Sequence, residues 1–561
     1  MRHLITSALP YINGVKHLGN LIGSMLPADV YARFLRQQGE TVLFICGTDD
    51  HGAPAEIAAE NAKQSVAEFC DLMHQKHQEI YRQFNLSFDY FGKTSTQSNQ
   101  EITQGIFNSL NANGYIIKKS ITQYYSIEDG RFLPDRYIIG ECPHCGFLSA
   151  RGDQCDQCTR LLDPTELINP KSALQPTAKL ELRQTEHLFL DLPKLQSKIK
   201  DWAPTLEEPS RLLAGTIKKW LDEDLEVRGI TRDLKWGIPV PLEGYEGKVF
   251  YVWFDAPNGY ISITKDWAAA TNQPEAWKDW WLDAKDVHYS QFMAKDNIPF
   301  HAIFWPAMIL GSGQPWKMVN KIKAFNWLTY EKGKFSTSQN RGIFMDKAIE
   351  LFPADYWRYY LIANAPETDD SNFSFEDFAL TVNNDLADNL GNFVSRVLAL
   401  VEKYFDSKVP AYTAATVDVE LKNKVNELLG TLAVEYKELR FREAARVLKL
   451  FWKLGNEYIT QKQPWFLAKE DKEKAGQVLA DCLLLIRIYA ITAWPVIPTI
   501  SENLYALLNI AGSPAQIAFN NDHNFSSLEV GHSVLQKVVL IKRIEDVGLL
   551  TEQFLGKPVE A

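Results

Sequence analysis

The sequence predicts an α/β chain: a doubly wound parallel sheet split by a cysteine-bearing insert and followed by an all-helical domain. Three observations carry this reading. Residues 3–26 read as a buried strand, a turn and a helix, and a second buried run follows at 41–50. Two C-x2-C pairs lie nine residues apart, at Cys142, Cys145, Cys155 and Cys158. From about 384 to 550 the apolar residues recur at helical spacing.

In the first stretch, His3 to Leu9 is short, apolar and hydroxyl-bearing, as a strand should be. Pro10, Asn13 and Gly14 punctuate a turn. His17, Gly19 and Asn20 open a helix to about Gln38, with Gly39 as its C′ stop. A helix start beside a strand end presents free N–H groups and partial positive charge, which suits phosphate. Gly19 admits a ligand close to the backbone, and His17 and Asn20 share a helix face. A nucleotide site is expected here. The run TVLFICGTDD has the β-branched character of a buried parallel strand. Its polar end, Gly47 to Asp50, belongs at the carboxyl edge where such sheets bind ligands. Helices are predicted at about 54–63 and 65–83. No G-x-G-x-x-G follows the first strand, which argues against a dinucleotide site.

Residues 114–231 form the expected insert. Four thiolates at this spacing close a tetrahedral Zn²⁺ site, structural because no coordination position stays open. His144 lies inside the first pair but the shell is already full, so it reads as a bystander. The sheet pattern resumes over 232–324, where KVFYVWFDAPNGYISI starts as a strand-like aromatic run and HYSQFMAKDNIPFHAIFW leads into another buried segment. Residues 325–383 contain NWLTYEKGKFSTSQNRG, a basic, hydroxyl-rich stretch that by itself is most simply a solvated turn. In the helical region 384–550, Ala444, Val447, Leu448, Phe451 and Leu454 make one apolar face, while Arg446, Lys449 and Lys453 line another. That basic stripe reads first as a solvated face and second as a phosphate-backbone contact. Residues 551–561 form a short unpatterned tail.

The 561 residues suit roughly three to four domains. At 46% apolar and 23% charged the composition is that of a globular protein, and a net charge of −11 excludes a generally basic nucleic-acid coat without excluding local basic grooves. No apolar leader precedes a cleavage signal and polar residues interrupt the long apolar runs. A cytoplasmic chain without membrane spans is expected. Four clustered and three scattered cysteines do not make a disulfide framework, and point to one metal site in a reducing compartment.

Taken in order, these segments resemble the methionyl-tRNA synthetase family of class I aminoacyl-tRNA synthetases, over nearly the whole chain. The resemblance rests on ALPYINGVKHLGN, FICGTDDHG, the single knuckle, ITRD, YVWFDAP, FMAKDNIPFH, KFSTS, GNFVSR and QPWF in the family's order. It implies a Rossmann-like catalytic domain, a connective insert, a loop region contacting the stem, and a helical-bundle domain that reads the anticodon. It also implies two steps: methionine and ATP give methionyl-adenylate and pyrophosphate, then methionine passes to the terminal adenosine of tRNA(Met). Neither step needs a protein nucleophile; positioning and stabilisation of phosphoryl charge suffice.

Carried over by position, His17, Asn20, Lys295, Lys334 and Arg232 are the expected catalytic residues. ATP is expected against His17, Gly19, Asn20, Asp296, Lys334, Ser336, Thr337 and Ser338, with Mg²⁺. The implied methionine pocket is Leu9, Tyr11, Asp49, Trp253, Ala256, Pro257, Tyr260, Asn297 and His301. A thioether suits such an aromatic slot, at about 0.3–1.5 kcal/mol per sulfur–ring contact, although periodicity alone reads Trp253 and Tyr260 as core. Asn392, Arg396 and Trp465 are implied for the anticodon. Trp465 can stack on a base for about 1–3 kcal/mol, or be a core residue after Pro464.

The chain departs from the family's usual second signature, KMSKS. Phe335 replaces Met, and Thr337 replaces a lysine whose charge supports activation. Losing one transition-state donor typically costs about 2.7–4 kcal/mol. Lys334, Lys332 or Arg341 are the candidates to compensate, Lys334 first. A single zinc and, without an appended dimerisation domain, a monomer are expected. Two other readings remain at this stage: a catalytically weak tRNA-binding relative, and a ligase for another small apolar amino acid.

Overall fold

A computed structural model of the chain describes every residue except 153, 154, 156, 159, 161, 337–339, 414, 415, 520–527, 536–538 and 556–561. Thr337 and Ser338, expected against ATP, thus lie outside the described residues.

The central sheet has five strands: β1 (Arg2–Ser7), β2 (Thr41–Thr48), β3 (Tyr90–Lys93), β4 (Val287–Ala294) and β5 (Lys321–Phe325). They lie in the order β3-β2-β1-β4-β5, every neighbour parallel. In β1, Ile5 stands opposite Phe44 on one side and Ser290 on the other. Leu4 and Ile5 are fully buried because both faces are covered. The order reverses between β1 and β4, and a ligand crevice forms outside the carboxyl ends at such a reversal.

After β1 the chain turns and enters a helix from Leu18 to Gln37, with one π turn over Leu21–Met25. The Leu26 N–H bonds to Leu21 O, five residues back. Pro27 follows directly. A proline has no N–H and collides with the carbonyl four residues earlier, and the wider turn gives it room. Gly39, at φ +79°, stops the helix as predicted. Helices at Ala53–Ala62 and Val66–Gln83 also match expectation, the second capped by Ser65.

Two sequence expectations need correction here. The aromatic run before Asp255 is a strand only at Val249–Phe250, and Val252–Asp255 is already helical. A short run that is apolar all round does not distinguish a buried helix from a strand by period. The insert also ends earlier than expected. Its antiparallel ribbon pairs Ile116–Ser126 with Leu180–Leu190 and carries the cysteines beyond its far end. Helices Leu192–Trp202 and Arg211–Asp222 then place Leu195, Ile199, Leu213 and Ile217 in one cluster with Leu4, Val287 and Met308. Their amphipathic faces need the sheet layer as cover.

In the helical domain, a continuous helical rod runs from Phe375 to Phe405 across the expected boundary at 383/384, since no proline interrupts it. Helices Val419–Lys437, Phe441–Lys462, Lys472–Ala493 and Pro498–Leu507 complete the bundle. Lys472–Ala493 is long and apolar enough to cross a membrane, yet most of it is buried inside the protein as the bundle's central helix. Ala444, Val447, Leu448 and Phe451 are buried as predicted. In the basic stripe, Arg446 pairs with Glu443 and Lys449 with Asp385. One core spans both halves, from Ile5, Phe44 and Phe325 through Trp357 to Phe451 and Leu483.

A buried ionic strut reinforces that junction. Arg358 donates to Asp29 Oδ2 at 2.7 Å, Val496 O at 2.8 Å, Pro495 O at 2.9 Å and Phe84 O at 3.0 Å. Asp29 also accepts from Arg33 Nε at 2.9 Å and from Ser87 N and Oγ at 2.6 Å.

Candidate active site

The crevice outside β1, β2 and β4 gathers most of the expected residues. Where the chain leaves β1, Tyr11 pairs alongside Asp49 at the end of β2, with Asp49 N donating to Pro10 O at 2.9 Å and Ile12 N to Asp49 O at 3.0 Å. The turn therefore hangs from the neighbouring strand, which fixes both Leu9 and Tyr11. Tyr11 meets Trp253 edge-on at 6.1 Å, and Trp253 stacks on Phe300 at 3.5 Å and 7°. Phe300 completes this aromatic wall and was missed from sequence, although it lies within the quoted NIPFH.

Tyr260 and His301 form the floor, both buried. His301 Nδ1 lies 3.0 Å from Asn297 O, and Nε2 lies 2.8 Å from the Tyr260 hydroxyl. A carbonyl only accepts, so Nδ1 carries the proton and Tyr260 donates to Nε2. Burial pulls the imidazole down to about 4, so it is neutral at physiological pH. Ala256 and Pro257 are buried at the turn into this helix. Gly259 is needed there: a Cβ would stand 3.0 Å from both Leu9 Cδ1 and Thr94 Cγ2.

Asp49 is 2% exposed, and its Oδ1 has no partner among the described residues. Burial, with Asp255 and Asp50 nearby, raises its carboxyl well above the usual range. Asp255 is itself paired with His51, and Asp255 Oδ1 and Asp50 Oδ1 are likewise without partners. A buried carboxylate cluster with unused acceptors favours an incoming cation. Sequence reading missed His51 and Asp255, although both lie within its quoted segments FICGTDDHG and YVWFDAP.

At the helix start, His17 N donates to Asn20 Oδ1 at 3.2 Å, and His17 Nδ1 is buried without a partner among the described residues. Burial and the neighbouring Lys16 pull His17 down to about 3, so it is a neutral donor or acceptor rather than a cation. Lys16 is 7% exposed, donates to Asn13 Oδ1 at 2.8 Å, and is lowered by burial to about 7. It too was missed, though it stands inside the first signature. A Cβ at Gly19 would meet the His17 ring at 3.0 Å and press it out of place by a few tenths of an ångström.

The second signature lies across this helix start. Phe335 stacks on His17 at 4.7 Å and 22°. Gly342, at φ +100°, supports the Phe335 ring from beneath; a Cβ would fall 2.0 Å from its Cδ1. Ser336 pairs with Arg341 through reciprocal backbone bonds of 3.0 and 2.9 Å. Arg341 donates to Leu555 O and Tyr330 O, both at 2.9 Å. Its fork is committed to backbone carbonyls, so of the three compensating cations Arg341 is the one the structure does not favour. Lys334 lies over the Trp327 ring at 4.7 Å. Lys295 lies over the same ring at 4.3 Å and pairs with Asp370 at 2.6 Å. Asp296 accepts from Trp327 Nε1 at 3.2 Å. Arg232 donates to Asp135 of the insert at 2.7 Å and lies 4.0 Å over Tyr251, next in sequence to Val252 and Trp253.

Away from the crevice, the four Sγ atoms of Cys142, Cys145, Cys155 and Cys158 all lie within 4.8 Å of one another. The Cys142–Cys158 and Cys145–Cys155 sulfurs are 3.8 and 3.6 Å apart. A tetrahedron with Zn–S of about 2.3 Å requires about 3.8 Å between sulfurs, so the cluster fits a metal ion. His144 is exposed, with Nδ1 3.1 Å from Arg160, outside the sulfur cage as expected. On the helical domain, Gln463 at φ +49° and Pro464 turn the chain sharply and set Trp465 at the rim. The Arg396 guanidinium lies over Trp465 at 4.7 Å, and Asn392 is exposed four residues before it on the same helix. The structure thus unites the three distal candidates, far in sequence from the crevice.

A family model described as tRNA synthetases class I (M) matches residues 3–398, and one described as the anticodon binding domain of methionyl tRNA ligase matches residues 409–557. Fold and matches together define a class I tRNA synthetase. Within that class, the chain belongs to the methionyl family. It is 51% identical over 560 residues to methionine–tRNA ligase 1 of Acaryochloris marina, covering 99% of this chain and 100% of that protein. It is 50% identical over 574 residues to methionine–tRNA ligase of Streptomyces avermitilis, with coverage of 99% and 100%. Among solved structures it resembles Mycobacterium tuberculosis methionyl-tRNA synthetase in complex with methionyl-adenylate, at a TM-score of 0.76 and 24% identity over 97% of this chain and 100% of that one. That likeness speaks to the fold.

Proposed function

We propose that this chain is a methionine–tRNA ligase, activating methionine with ATP and transferring it to the terminal adenosine of tRNA(Met), the initiator included. The observation that carries the reading is an aromatic slot beside a buried acid. The Tyr11–Trp253–Phe300 wall is tied through Tyr11 to Asp49, and Tyr260 is bonded to His301 in the floor.

The ammonium of methionine pairs with Asp49, relieving the buried carboxylates. The side chain enters between Trp253, Leu9, Ala256 and Pro257, and the thioether faces Tyr260 and His301. Neutral His301 locks the Tyr260 hydroxyl in one orientation, and Asn297 locks His301. The methionine carboxylate attacks the α-phosphorus, the acyl-phosphate bond forms, and pyrophosphate leaves with the bond electrons. The chain supplies position and charge rather than a nucleophile. Gly19 leaves room for adenine, Asp296 accepts ribose hydroxyls, and His17, Asn20, Ser336, Lys295 and Lys334 face the phosphates. Thr337 and Ser338 belong to the same phosphate loop by their place in the signature. Arg232 stabilises charge on the methionine side. Mg²⁺ bound with ATP would neutralise phosphate oxygens. In the conformation described here Phe335 covers His17, so the loop lifts that ring off the imidazole when ATP enters.

One structural Zn²⁺ sits in the four-cysteine cluster. Asn392, Arg396 and Trp465 read the anticodon. The protein works as a monomer in the cytoplasm, where the clustered thiols stay reduced, and light scattering tests the monomer. ATP–pyrophosphate exchange with each of the twenty amino acids tests the main reading. Exchange with methionine alone is expected; no exchange means a non-catalytic relative, and another preferred amino acid means another ligase.

A further inference from the structure

Trp327 stands between three segments that are far apart in sequence. It follows β5 by two residues, so it lies at the carboxyl edge of the sheet beside the end of β4. Its Nε1–H donates to Asp296 at 3.2 Å. The Nζ atoms of Lys295 and Lys334 lie 4.3 and 4.7 Å from the centre of one of its rings. Its backbone N–H donates to Asp370 Oδ1 at 2.8 Å, the same oxygen that takes Lys295 Nζ at 2.6 Å. The next residue borders the first signature: a Cβ at Gly19 would stand 3.7 Å from Leu328 O. One indole therefore touches the segment after β4 and the second-signature loop, and adjoins the start of the nucleotide helix.

Two ammonium groups brought to one site repel each other, and each long side chain loses rotamer freedom when fixed. An indole face attracts both cations without neutralising either. Asp370 pairs directly with Lys295 and acts on Lys334 at longer range, so it offsets part of the repulsion at both. Lys334 is exposed and has no direct ion pair among the described residues, and its close contact is the Trp327 ring. This arrangement keeps positive charge at the crevice mouth, where Leu328 O lies beside Gly19.

We infer that Trp327 is a positioning residue for adenylate formation, gathering Lys295, Lys334 and Asp296 so that both ammonium groups meet the phosphates together. The inference rests on the proposed role of those two lysines toward ATP. Trp327 itself touches no reacting atom.

The test is ATP–pyrophosphate exchange at saturating methionine, with thermal melting as a control, on Trp327→Leu, Trp327→Phe, Lys295→Ala, Lys334→Ala and the double variant Trp327→Leu/Lys334→Ala. Two exposed cation–ring contacts correspond to about a 5- to 30-fold change in rate. Trp327→Leu is expected to lower kcat for exchange by about that factor, with the KM for methionine and the melting temperature unchanged. Trp327→Phe keeps a π face and loses only the Asp296 bond, so it should recover most of kcat. The double variant should lose less than the product of the two single losses. If both lysine variants are impaired while Trp327→Leu exchanges like the parent, the inference falls and the ATP reading stands. Equal losses in the Leu and Phe variants, or strictly multiplicative losses in the double variant, overturn it as well. If Lys295→Ala and Lys334→Ala exchange at the parent rate, the ATP reading itself fails.

Discussion

Arg358→Met should loosen the helical domain from the catalytic domain and separate the two half-reactions. Arg358 is fully buried and shares Asp29 with Arg33. Removing one partner of a buried ion pair costs about 3–5 kcal/mol. The variant also strips a donor from the carbonyls of Val496, Pro495 and Phe84, at about 1–3 kcal/mol for each that finds no water. Asp29 keeps Arg33 and the Ser87 donors, and methionine refills most of the volume, so a net loss of about 4 kcal/mol is expected. Val496 and Pro495 follow the central helix of the bundle, whereas Asp29 and Phe84 belong to the catalytic half, so the loss falls on their junction. ATP–pyrophosphate exchange needs only the catalytic half, while tRNA charging needs both. Charging should therefore fall well below exchange, with a lowered melting temperature and faster proteolysis between the halves. Unchanged melting and an unchanged ratio of charging to exchange would refute the reasoning. The strut also has a pH signature. Burial pushes Asp29 up, but Arg33, Arg358 and Ser87 outweigh it and hold the carboxyl at about 2 against an ordinary 3.8. A depressed folded value stabilises above the unfolded one, so about 2 kcal/mol is present above pH 4 and is lost as pH falls toward 2. Arg358→Met should flatten that acid limb.

Three further outcomes follow from the site. Asp49 has a raised carboxyl, and the proposed pairing with the methionine ammonium needs it ionised, so kcat/KM for methionine should fall on acidification from above the ordinary carboxylate range; Asp49→Asn should abolish that limb, and a parent profile flat down to pH 4 would contradict it. Gly342→Ala places a Cβ into the Phe335 ring at a φ of +100° and displaces the loop that carries Lys334 and Ser336, so adenylate formation should drop at least tenfold while methionine binding, measured by calorimetry, stays intact; normal exchange would show that the turn at Gly342 does not set that loop. Metal analysis should find one zinc per chain, and chelation should open the knuckle, whose Cys142 and Cys155 are buried, to proteolysis near residues 138–172; an intact, protease-resistant insert without metal would count against a structural zinc.

Much of this protein was legible in local chemistry. Strand, turn and helix over residues 2–37 follow from short-range signals: buried apolar runs, Gly39 as a helix stop and the glycine-opened helix start. The four cysteines declare themselves because metal geometry restricts spacing. The motifs HLGN, FICGTDD and AKDN point to the crevice because they sit at the ends of strands or the start of a helix. What the sequence could not decide is where side chains from distant segments meet. The aromatic run at 249–255 is part strand and part helix, and burial on all sides erases the periodicity that would distinguish them. Residues 192–222 join the catalytic core because their apolar faces require the sheet, which no local pattern announces. Lys16, Asp255 and Phe300 look ordinary in sequence; their roles come from burial beside Asn13, His51 and Trp253. Arg341, a candidate to replace missing charge, is committed to carbonyls brought in from residues 330 and 555. The opening stretch by itself determined a helix start beside a strand end, a place that suits an anion. Only the tertiary structure decided what surrounds it: a neutral His17 under Phe335, and two lysines gathered on Trp327. Charge and hydrogen-bonding capacity belong to residues, whereas desolvation and proximity belong to the folded chain.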